Sequence, residues 1–446
     1  MTIVRPVLFS LAIGAAFCTI AIAQEFSNTL GNPGFGGSYV ANFTTYDDGN
    51  GESLYATGSF LASGVAGGSQ IARWDGSNWN AVGGGLQSQY SNTLGVFQGN
   101  LIVGGYFDSA GNMPGSAKLA RFDGSSWNAM DAQLESFLSS IWDMTTYDSG
   151  SGDALIVAGN YLNIGGNAGM NHICQWDGTN YTALGGTIGG AVPLIVLDVL
   201  NADLGSGSSL FAGGRFLTID GVSALNIASW DGSAWSPLGG GLTRSSGISQ
   251  VFHLTTWDDG DGMALYAGGS FNRADDRTEV SNVAKWDGKA WSSMGDGFDS
   301  AVQELTVFDD GSGEALYAMG NFENSGASPM SHIAKWNGSA WEAVGGMVDG
   351  NIFGAIVYDA GEGDALIMGG GFNSVDGLSA NHVVSLLGGG ECPADLTGDG
   401  ELNFFDVSAF LTAFSAADPA ADFTGDGEFN FFDVSAFLTA FSAGCP

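Results

Sequence analysis

One pattern of hydrophobic and polar positions recurs along most of the chain. Its clearest copy occupies residues 265–271 (Leu-Tyr-Ala-Gly-Gly-Ser-Phe), 282–288 (Asn-Val-Ala-Lys-Trp-Asp-Gly) and 291–295 (Trp-Ser-Ser-Met-Gly). Short segments rich in aliphatic and aromatic residues, bounded by glycines, predict β-strands, and the Asp-Gly between the last two segments predicts a hairpin turn. An apolar run precedes each copy, as residues 302–308 precede the next one. Every repeat therefore predicts four strands.

The repeat occurs seven times. Its glycine-containing segment begins at Leu54, Leu101, Leu155, Leu210, Leu265, Leu316 and Leu366. The next segment centres on an aromatic residue in six copies, whereas the seventh copy, at 382–386, lacks it. Successive centres are 48 to 56 residues apart. A repeat of this length with four predicted strands indicates a mainly β protein, a β-propeller with seven blades.

The seventh repeat lacks a fourth strand of its own, because the run Gly388-Gly389-Gly390 follows its third strand. Residues 26–31 (Phe-Ser-Asn-Thr-Leu-Gly) resemble the missing strand. A last blade shared between the two ends of the repeat region would close the ring and remove exposed sheet edges. We therefore expect the N-terminal segment to complete the seventh blade.

The repeat resembles that of the kelch family of propellers. A strand ends in a glycine pair and an aromatic residue, a second aromatic follows 14 or 15 residues later, and a Trp stands five residues beyond it. The resemblance is closer to the kelch-like repeats of Rax-type fungal cell-polarity surface proteins and of many exported bacterial proteins. It covers roughly residues 26 to 388 and implies architecture rather than activity. The Tyr that kelch repeats commonly carry between the glycine pair and the Trp is missing.

Four basic residues share one repeat position, directly before the central aromatic: Arg73, Arg121, Lys285 and Lys335. One repeat position forms a ring in a propeller, so these side chains could form an annulus that faces an anionic or glycan ligand. Alternatively, they lie between blades and pair with the abundant acidic side chains. The sequence leaves both interpretations open.

The charge and the N-terminus indicate where the protein works. The chain has 47 acidic and 11 basic residues and a formal net charge of −36, which disfavours nucleic acid and anionic membranes as partners. Arg5, an apolar run and Ala21-Ile22-Ala23 predict a signal peptide over residues 1–23. No later stretch is apolar over about 20 residues, so we expect a secreted or cell-surface protein without a membrane span after cleavage.

A different pattern begins at Cys392, after a glycine-rich hinge at 389–391: a twelve-residue segment occurs twice, 27 residues apart. Oxygen-bearing side chains at alternate positions, with glycine at the sixth, are typical of a Ca²⁺-binding loop. The predicted ligands of two Ca²⁺ ions are Asp395, Thr397, Asp399, Glu401, Asn403 and Asp406, and then Asp422, Thr424, Asp426, Glu428, Asn430 and Asp433. Glu401 and Glu428 would bind through the backbone carbonyl, and Asn403 and Asn430 through a water molecule. Apolar residues at helical spacing from Val407 and Val434 predict a helix after each loop.

Two such loops, each followed by one helix and closed by Asp at position twelve, resemble the dockerin domain of cellulosomal and other exported bacterial proteins. The Gly-Cys-Pro ending resembles dockerin variants that anchor exported proteins. The resemblance implies a protein partner, either cohesin-like or another surface receptor. Phe404-Phe405 and Phe431-Phe432 stand where cellulosomal dockerins carry small hydroxyl residues, which argues against a standard cohesin. A calcium clamp without a partner is the alternative.

Three cysteines follow the predicted cleavage site. Cys174 lies in a predicted strand beside Ile173, where we expect a buried free thiol. Cys392 and Cys445 bracket the calcium loops, and export permits oxidation, so they are predicted to form a disulfide. Alternatively, Cys445 is a covalent attachment point.

Two functional hypotheses follow. The first is a non-catalytic exported propeller that binds a glycan or protein ligand and is displayed through its calcium-dependent tail. The second is a polysaccharide-active hydrolase or lyase delivered by the same tail. The repeats contain no long loop and no paired carboxylates that stand apart from the pattern, which favours the first hypothesis. The predicted organisation is a signal peptide (1–23), a propeller (24–388), the hinge (389–391) and a small helical dockerin-like domain (392–446).

Overall fold

The structure is a computed structural model that describes residues 26–31, 34–62, 69–87, 89–134, 138–150, 152–190, 193–275, 278–361, 363–388, 394–397, 402–424 and 427–443. Within these ranges the chain forms seven four-stranded antiparallel sheets, numbered here 1 to 7 in the order of their first strands. The predicted signal peptide lies outside the described residues.

The four strands of each sheet lie side by side in the same order. The first strands are Phe35–Asp47, Tyr90–Phe97, Ile141–Asp148, Ile195–Asp203, Gln250–Asp258, Val302–Asp309 and Ile352–Asp359. The second strands are Glu52–Ala62, Asn100–Tyr106, Asp153–Gly159, Ser208–Arg215, Met263–Ser270, Glu314–Gly320 and Asp364–Gly370. The third strands are Ser69–Trp74, Leu119–Phe122, Ile173–Trp176, Ile227–Trp230, Val283–Trp286, Ile333–Trp336 and Val383–Leu387. The fourth strands are Trp79–Ala81, Trp127–Ala129, Tyr181–Ala183, Trp235–Pro237, Trp291–Ser293, Trp341–Ala343 and, in sheet 7, Phe26–Ser27.

The sheets form a closed ring. Each first strand contacts the first strands of the sheets before and after it, and Ile352–Asp359 of sheet 7 contacts Phe35–Asp47 of sheet 1. The first strands are therefore the inner strands, and the sheets radiate from them. This arrangement is a β-propeller.

The N-terminal segment completes sheet 7, as the sequence predicts. Phe26 lies opposite Leu386 and Ser27 opposite Ser385, in antiparallel pairing with the third strand. Phe26 is buried and packs so closely under Gly345 that a Cβ there would lie 2.3 Å from its ring. The strand at 383–387 consequently has a partner on both sides.

The core lies between neighbouring sheets, and the repeated Trp residues belong to it. Trp235 is 4% exposed, and its indole N–H donates to the carbonyl of Leu184 in the loop that follows the preceding sheet, at 3.0 Å. Four other indoles of the fourth strands bond in the same way: Trp79, Trp127, Trp291 and Trp341. In sheet 3 the hydroxyl of Tyr181 replaces the indole and donates to the carbonyl of Met130. These bonds connect each of sheets 1 to 6 to the sheet before it.

Four of the second strands contain a glycine pair, which allows the inner strands to approach closely. A Cβ at Gly214 would lie 2.3 Å from the carbonyl oxygen of Ile195 in the inner strand of its own sheet. At Gly213 it would lie 2.7 Å from Val251, in the inner strand of the next sheet. A side chain at either position would displace an inner strand.

Short hairpins and the C-terminal helices complete the described elements. The short strands are Leu86–Gln87, Ser109–Ala110, Asn163–Ile164, Asn167–Ala168, Ile188–Gly189, Thr218–Ile219, Val222–Ser223, Leu242–Thr243, Arg273–Ala274, Thr278–Glu279, Asn324–Ser325, Ser328–Pro329, Ser374–Val375 and Leu378–Ser379. The tail contains α1 (Phe404–Ala416), a 3₁₀-helix (Pro419–Ala421) and α2 (Phe431–Ala443). Phe410 and Phe437 occupy equivalent positions in α1 and α2, and their rings stack with centroids 4.1 Å apart.

Candidate functional site

A β-bulge in every inner strand directs side chains towards the ring axis. In the pairing of first with second strands, one residue is skipped at the same place in each sheet. The skipped residues are Ala41, Asn92, Trp142, Leu197, Phe252, Gln303 and Phe353. A bulge twists the strand locally. The skipped residue and the residue after it therefore leave the regular alternation of side chains between the two faces of the sheet.

These residues line one cavity of about 550 Å³. All seven inner strands contribute to its wall, so the cavity lies where the sheets converge, and we call it the axial cavity. Its lining consists of Tyr39, Ala41, Asn42, Tyr90, Asn92, Trp142, Asp143, Leu197, Asp198, Phe252, His253, Gln303, Glu304 and Phe353.

In sheets 1 to 5 the residue after the bulge connects its sheet to the next one by a side-chain hydrogen bond. Oδ2 of Asp143 accepts from the N–H of Val199 at 2.9 Å, and Oδ2 of Asp198 accepts from the N–H of Leu254 at 3.0 Å. Asn42 and His253 accept in the same way from Leu94 and Leu305. One repeat position thus forms a ring around the axis, and hydrogen bonds from its side chains join sheets 1 to 6 in series. The position is occupied by Asn42, Thr93, Asp143, Asp198, His253, Glu304 and Gly354.

Three members of this ring are carboxylic acids in a buried place. Burial raises the pKa of Asp143 to about 6, although the N–H of Val199 and the hydroxyl of Thr93 favour its charged form. Burial raises the pKa of Asp198 well above its ordinary value, and the charges of Asp143 and Glu304 raise it further. Burial likewise raises the pKa of Glu304 well above its ordinary value. Burial lowers the pKa of His253 to about 4, so its imidazole is neutral at pH 7.

Aromatic side chains form much of the remaining wall. Tyr39 packs edge to face against Phe353 with ring centroids 5.5 Å apart, which joins sheets 1 and 7 at the cavity. Burial, together with Tyr90, raises the pKa of Tyr39 to about 12. The indole N–H of Trp142 is buried, and no hydrogen-bond partner for it is found in the described part of the chain. The cavity therefore combines apolar rings with acidic and amide groups.

The sequence analysis missed this site. It treated each first strand as an apolar run, although a polar residue follows the bulge in six of the seven strands. That recurring polar position is the signal from which the ring could have been predicted. The convergence of the seven positions on one cavity depends on the ring of sheets.

The predicted basic ring has a different setting. Arg73, Lys285 and Lys335 pair with Asp48, Asp259 and Asp310 in the turn between the first and second strands of their own sheets. The pair distances are 3.4 Å for Arg73 and 2.7 Å for Lys335. These three residues form ion pairs, as the second interpretation of the sequence predicted. The pairs lie within one sheet, however, and not between sheets.

Arg121 is the exception, because the corresponding turn of sheet 2 is Gln98-Gly99 and contains no acid. No hydrogen-bond partner of its buried Nε is found among the described residues. Arg121 lines a second cavity of about 380 Å³, which it shares with Asp131, Trp176 and Asn180 among others. The four basic residues thus do not share one environment.

Another repeat position holds a polar residue in every sheet, and its backbone is left-handed in all seven copies. Its members have φ between 63° and 78°: Gln70, Lys118, His172, Asn226, Asn282, His332 and His382. The Asn226 side chain accepts from the N–H of Phe216 at 3.1 Å and donates to the carbonyl of Leu242 at 2.6 Å. Polar side chains at this position therefore fix a turn, which explains their recurrence.

The two predicted calcium loops are described in part. Asp399, Glu401 and Asp426 lie outside the described residues. In the first loop the hydroxyl of Thr397 donates to Asp406 at 2.8 Å and contacts Asp395 at 3.2 Å, so oxygens of positions one, three and twelve meet. In the second loop Thr424 contacts Asp433 and Asp422 in the same way, and the N–H of Gly427, at position six, donates to Asp422 at 2.8 Å.

Asp406 and Asp433 are fully buried at the start of their helices, where each accepts from two backbone N–H groups. Burial opposes ionisation of Asp406, but the N–H of Asn403 and the hydroxyl and N–H of Thr397 outweigh it and lower its pKa. Carboxylate and hydroxyl oxygens brought together in this way fit the donor set that Ca²⁺ requires. Among the described residues no cluster of three or more His, Cys, Asp or Glu side chains is placed to hold a metal ion.

The described cysteine behaves as predicted. Cys174 is a buried free thiol that accepts from the hydroxyl of Tyr161 at 3.3 Å, and burial raises its pKa to about 12. Cys392 and Cys445 lie outside the described residues. Within the described ranges, none of the helices has the length and hydrophobicity needed to cross a membrane.

Comparison with known proteins identifies no family. No protein-family model and no curated protein matches the chain. Among solved structures it is similar to BBS1N in complex with ARL6DN, at 10% identity over 78% of this chain and 91% of that chain, with a TM-score of 0.44. It is also similar to YCF48 from Cyanidioschyzon merolae, at 12% identity over 79% and 96% of the two chains, with a TM-score of 0.43.

A third similarity is to the extracellular domain of the putative one component system BT4673 from B. thetaiotaomicron. The identity is 10%, the match covers 78% of this chain and 51% of that chain, and the TM-score is 0.28.

Proposed function

We propose that this chain is an exported, non-catalytic binding protein that holds its ligand in the axial cavity of a seven-bladed, kelch-like propeller. One observation carries the proposal: each of the seven inner strands contributes side chains to one cavity of about 550 Å³. That volume lies within the usual range of small-molecule sites, and an apolar wall with a few polar groups is their usual composition. In this proposal the propeller comprises residues 24–388, and residues 389–391 form the hinge that follows it.

We further propose that residues 392–446 form a calcium-dependent, dockerin-like module that binds two Ca²⁺ ions and a protein partner. The contacts among Asp395, Thr397 and Asp406 support calcium binding, because they bring hard oxygen donors together. When bound, Ca²⁺ would neutralise these carboxylates and fix the loop before the helix. Cys392 and Cys445 remain the proposed disulfide that closes the module.

Exposed aromatic residues support a protein partner for the module. Phe404 and Phe431 are each 76% exposed, and Phe405 and Phe432 are each 67% exposed. Apolar side chains of this size on the surface mark interaction sites. A receptor for this module would offer an apolar surface rather than the hydroxyl-recognising surface of a standard cohesin.

A polysaccharide-active hydrolase or lyase is the second candidate. The raised pKa of Asp143, Asp198 and Glu304 favours it, because a general acid needs a carboxyl group that keeps its proton near neutral pH. Against it, Asp143 and Asp198 each accept a backbone N–H from the next sheet, which gives both of them a structural role. We therefore place it second.

The test is a binding and turnover assay on one panel of glycans and small metabolites. Full-length protein with Ca²⁺ would be incubated with the panel, and both bound ligand and released products would be measured. We expect binding without product formation, and loss of binding in a Phe252→Ala/Phe353→Ala variant. The matched control is Leu162→Ala, which alters a side chain that is 60% exposed and does not line the cavity. Product formation that Glu304→Gln abolishes would favour the second candidate.

A further inference from the structure

The wall of the axial cavity contains three carboxyl groups and no basic side chain that is charged at pH 7. Its lining includes Asp143, Asp198 and Glu304 but no Lys or Arg, and the buried His253 is neutral. Charges of one sign at short distance repel one another and favour a ligand of opposite sign. A bound cation would compensate all three acids together.

Asp198 offers an oxygen to such a ligand. The residue is 7% exposed, and its Oδ2 is occupied by the N–H of Leu254. No hydrogen-bond partner of its Oδ1 is found among the described residues. This oxygen is not one of the enclosed side-chain atoms that lack a partner, so it is accessible from the cavity and can interact with the positive charge of a ligand.

The aromatic side chains favour an organic cation over a metal ion. Tyr39, Tyr90, Trp142, Phe252 and Phe353 line the same cavity as the acids. The faces of aromatic rings attract ammonium groups, whereas Ca²⁺ and Mg²⁺ require a shell of six or more oxygen ligands. Within the described residues no cluster of acids is placed to form such a shell. The size of the cavity also exceeds that of a bare ion.

From this combination we infer that the axial cavity binds a small organic ammonium cation, with its positive charge among Asp143, Asp198 and Glu304 and its apolar body against the aromatic wall. The inference rests on the proposed function, because it assumes that the cavity is the ligand site. It adds the chemical class of the ligand. It also assigns Asp198 and Glu304 as residues that determine specificity for charge.

Proton release should accompany binding. The groups that face one another around the cavity are Asp143, Asp198, His253 and Glu304, with the hydroxyls of Tyr39 and Tyr90 in the wall. A cation favours the ionised form of a carboxyl group, so binding lowers raised pKa values and releases protons. Affinity for a permanently charged cation should therefore increase with pH.

The experiment compares choline with its uncharged isostere 3,3-dimethylbutan-1-ol by calorimetric titration of the full-length protein with Ca²⁺ present. Choline keeps its charge at every pH, so any pH dependence comes from the protein. We expect choline to bind at least about tenfold more tightly than the isostere at pH 8, and the ratio to decrease towards pH 5. Protons should be released on choline binding at pH 7.

Two conservative variants test the acids. Asp198→Asn and Glu304→Gln should each weaken choline binding at least about fivefold and leave binding of the isostere unchanged. The matched control, Glu314→Gln, alters an exposed acid outside the cavity and should change neither ligand. A thermal melt identifies any variant that does not fold, and the remaining variant then decides the test.

The possible failures are distinguishable. Equal binding of choline and the isostere, abolished by Phe252→Ala/Phe353→Ala, would overturn the charge inference and leave the axial binding site in place. Binding of choline that is unaffected by both the acidic and the aromatic variants would overturn both proposals. Ca²⁺ binding that depends on Asp198 and Glu304 would overturn the organic cation in favour of a metal ion.

Discussion

Nε2 of His253 lies 3.1 Å from Oε1 of Glu304, across the boundary between sheets 5 and 6. Nδ1 of the same imidazole accepts from the N–H of Leu305 at 3.3 Å, so in the neutral ring the proton resides on Nε2 and is donated to Glu304. The hydroxyl of Thr306 also donates to Oε1 of Glu304. Glu304 is thus held by donors from two adjacent sheets.

Stability of the propeller should decrease as the pH rises from about 6.5 to 8.5. Burial raises the pKa of Asp198 and Glu304 well above the ordinary value, so the folded protein binds their protons more tightly than the unfolded chain does. Asp143, with a pKa of about 6, loses most of its proton below this window. The contribution of Asp198 and Glu304 to stability is complete at a pH below the pKa that each group has in the unfolded chain. It is lost as the pH rises through the pKa that the group has in the folded protein. His253, with a pKa of about 4, increases stability as the pH rises towards about 6.5, which is its pKa in the unfolded chain. A change in stability above pH 6.5 therefore reports on the acids.

Glu304→Gln tests this assignment by urea unfolding at pH 6.5 and 8.5. Glutamine preserves the acceptor for Thr306 and cannot ionise, so the variant should be more stable than the wild type by about 1–3 kcal/mol at pH 8.5, with a smaller difference at pH 6.5. Glu314→Gln serves as the control and should not change the slope. An unchanged slope in Glu304→Gln would show that this carboxyl group does not titrate in the window.

Trp235→Phe should destabilise the propeller by about 1–3 kcal/mol. The substitution retains an aromatic ring but leaves the buried carbonyl of Leu184 without the indole donor that lies 3.0 Å away. Trp257→Phe is the control, because no hydrogen bond of the Trp257 indole N–H is found among the described residues. Denaturant unfolding of the two variants gives the comparison, and equal losses would remove the hydrogen bond as the cause.

Deletion of residues 24–32 should be far more damaging than truncation after Gly390. The deletion removes Phe26–Ser27 from the edge of the third strand of sheet 7 and the carbonyl of Leu30 that accepts from Trp79. It leaves an unpaired edge strand in a ring that is otherwise closed. We expect aggregation or loss of a cooperative melt in the first variant, while the second remains soluble and folded. Equal tolerance of the two changes would contradict closure through the N-terminal strand.

Ca²⁺ should stabilise the C-terminal module. Residues 392–446 contain nine acids and no Lys or Arg, and six of these acids are predicted side-chain ligands that repel one another without the ion. Asp433→Ala should weaken calcium binding at least about tenfold at one of two sites, as measured by calorimetry. Asp418→Asn is the matched control, because Asp418 lies between the loops and caps the 3₁₀-helix. Absence of any calcium-dependent heat in the wild type would exclude both sites.

Mass spectrometry of the non-reduced protein should find a peptide that joins Cys392 to Cys445. Cys174 should react with an alkylating agent only after denaturation, because the folded protein buries it and raises its pKa to about 12. Closing a loop of this length would stabilise the module by roughly 4 kcal/mol in the chain-entropy model. A free Cys392 in protein taken from the native cell surface would instead favour Cys445 as an attachment point.

Local sequence chemistry determined much of the fold. The four strands of each sheet follow from the apolar runs, the glycine-containing segments and the Asp-Gly turns, because these features specify strands and hairpins within about 50 residues of chain. The additional short hairpins were not predicted. The pairing of Phe26 with the last sheet was also predictable, since repeat seven lacks a strand and residues 26–31 resemble it. The helices after the two twelve-residue segments follow from apolar residues at helical spacing.

The candidate site was decided by tertiary structure alone. Asp143, Asp198, His253 and Glu304 are separated by about 50 residues from one to the next. A polar residue recurs at this position in six of the seven first strands, but the sequence does not show that these positions meet at one cavity. The bulge turns each side chain inward, and closure of the ring then places them around one cavity. A shared repeat position does not by itself create a shared site. Arg73, Lys285 and Lys335 occupy one repeat position, but each pairs with an acid of its own sheet. Hydrogen bonds between neighbours along the chain can be inferred from sequence, whereas burial and mutual repulsion of charges depend on which strands meet at the axis.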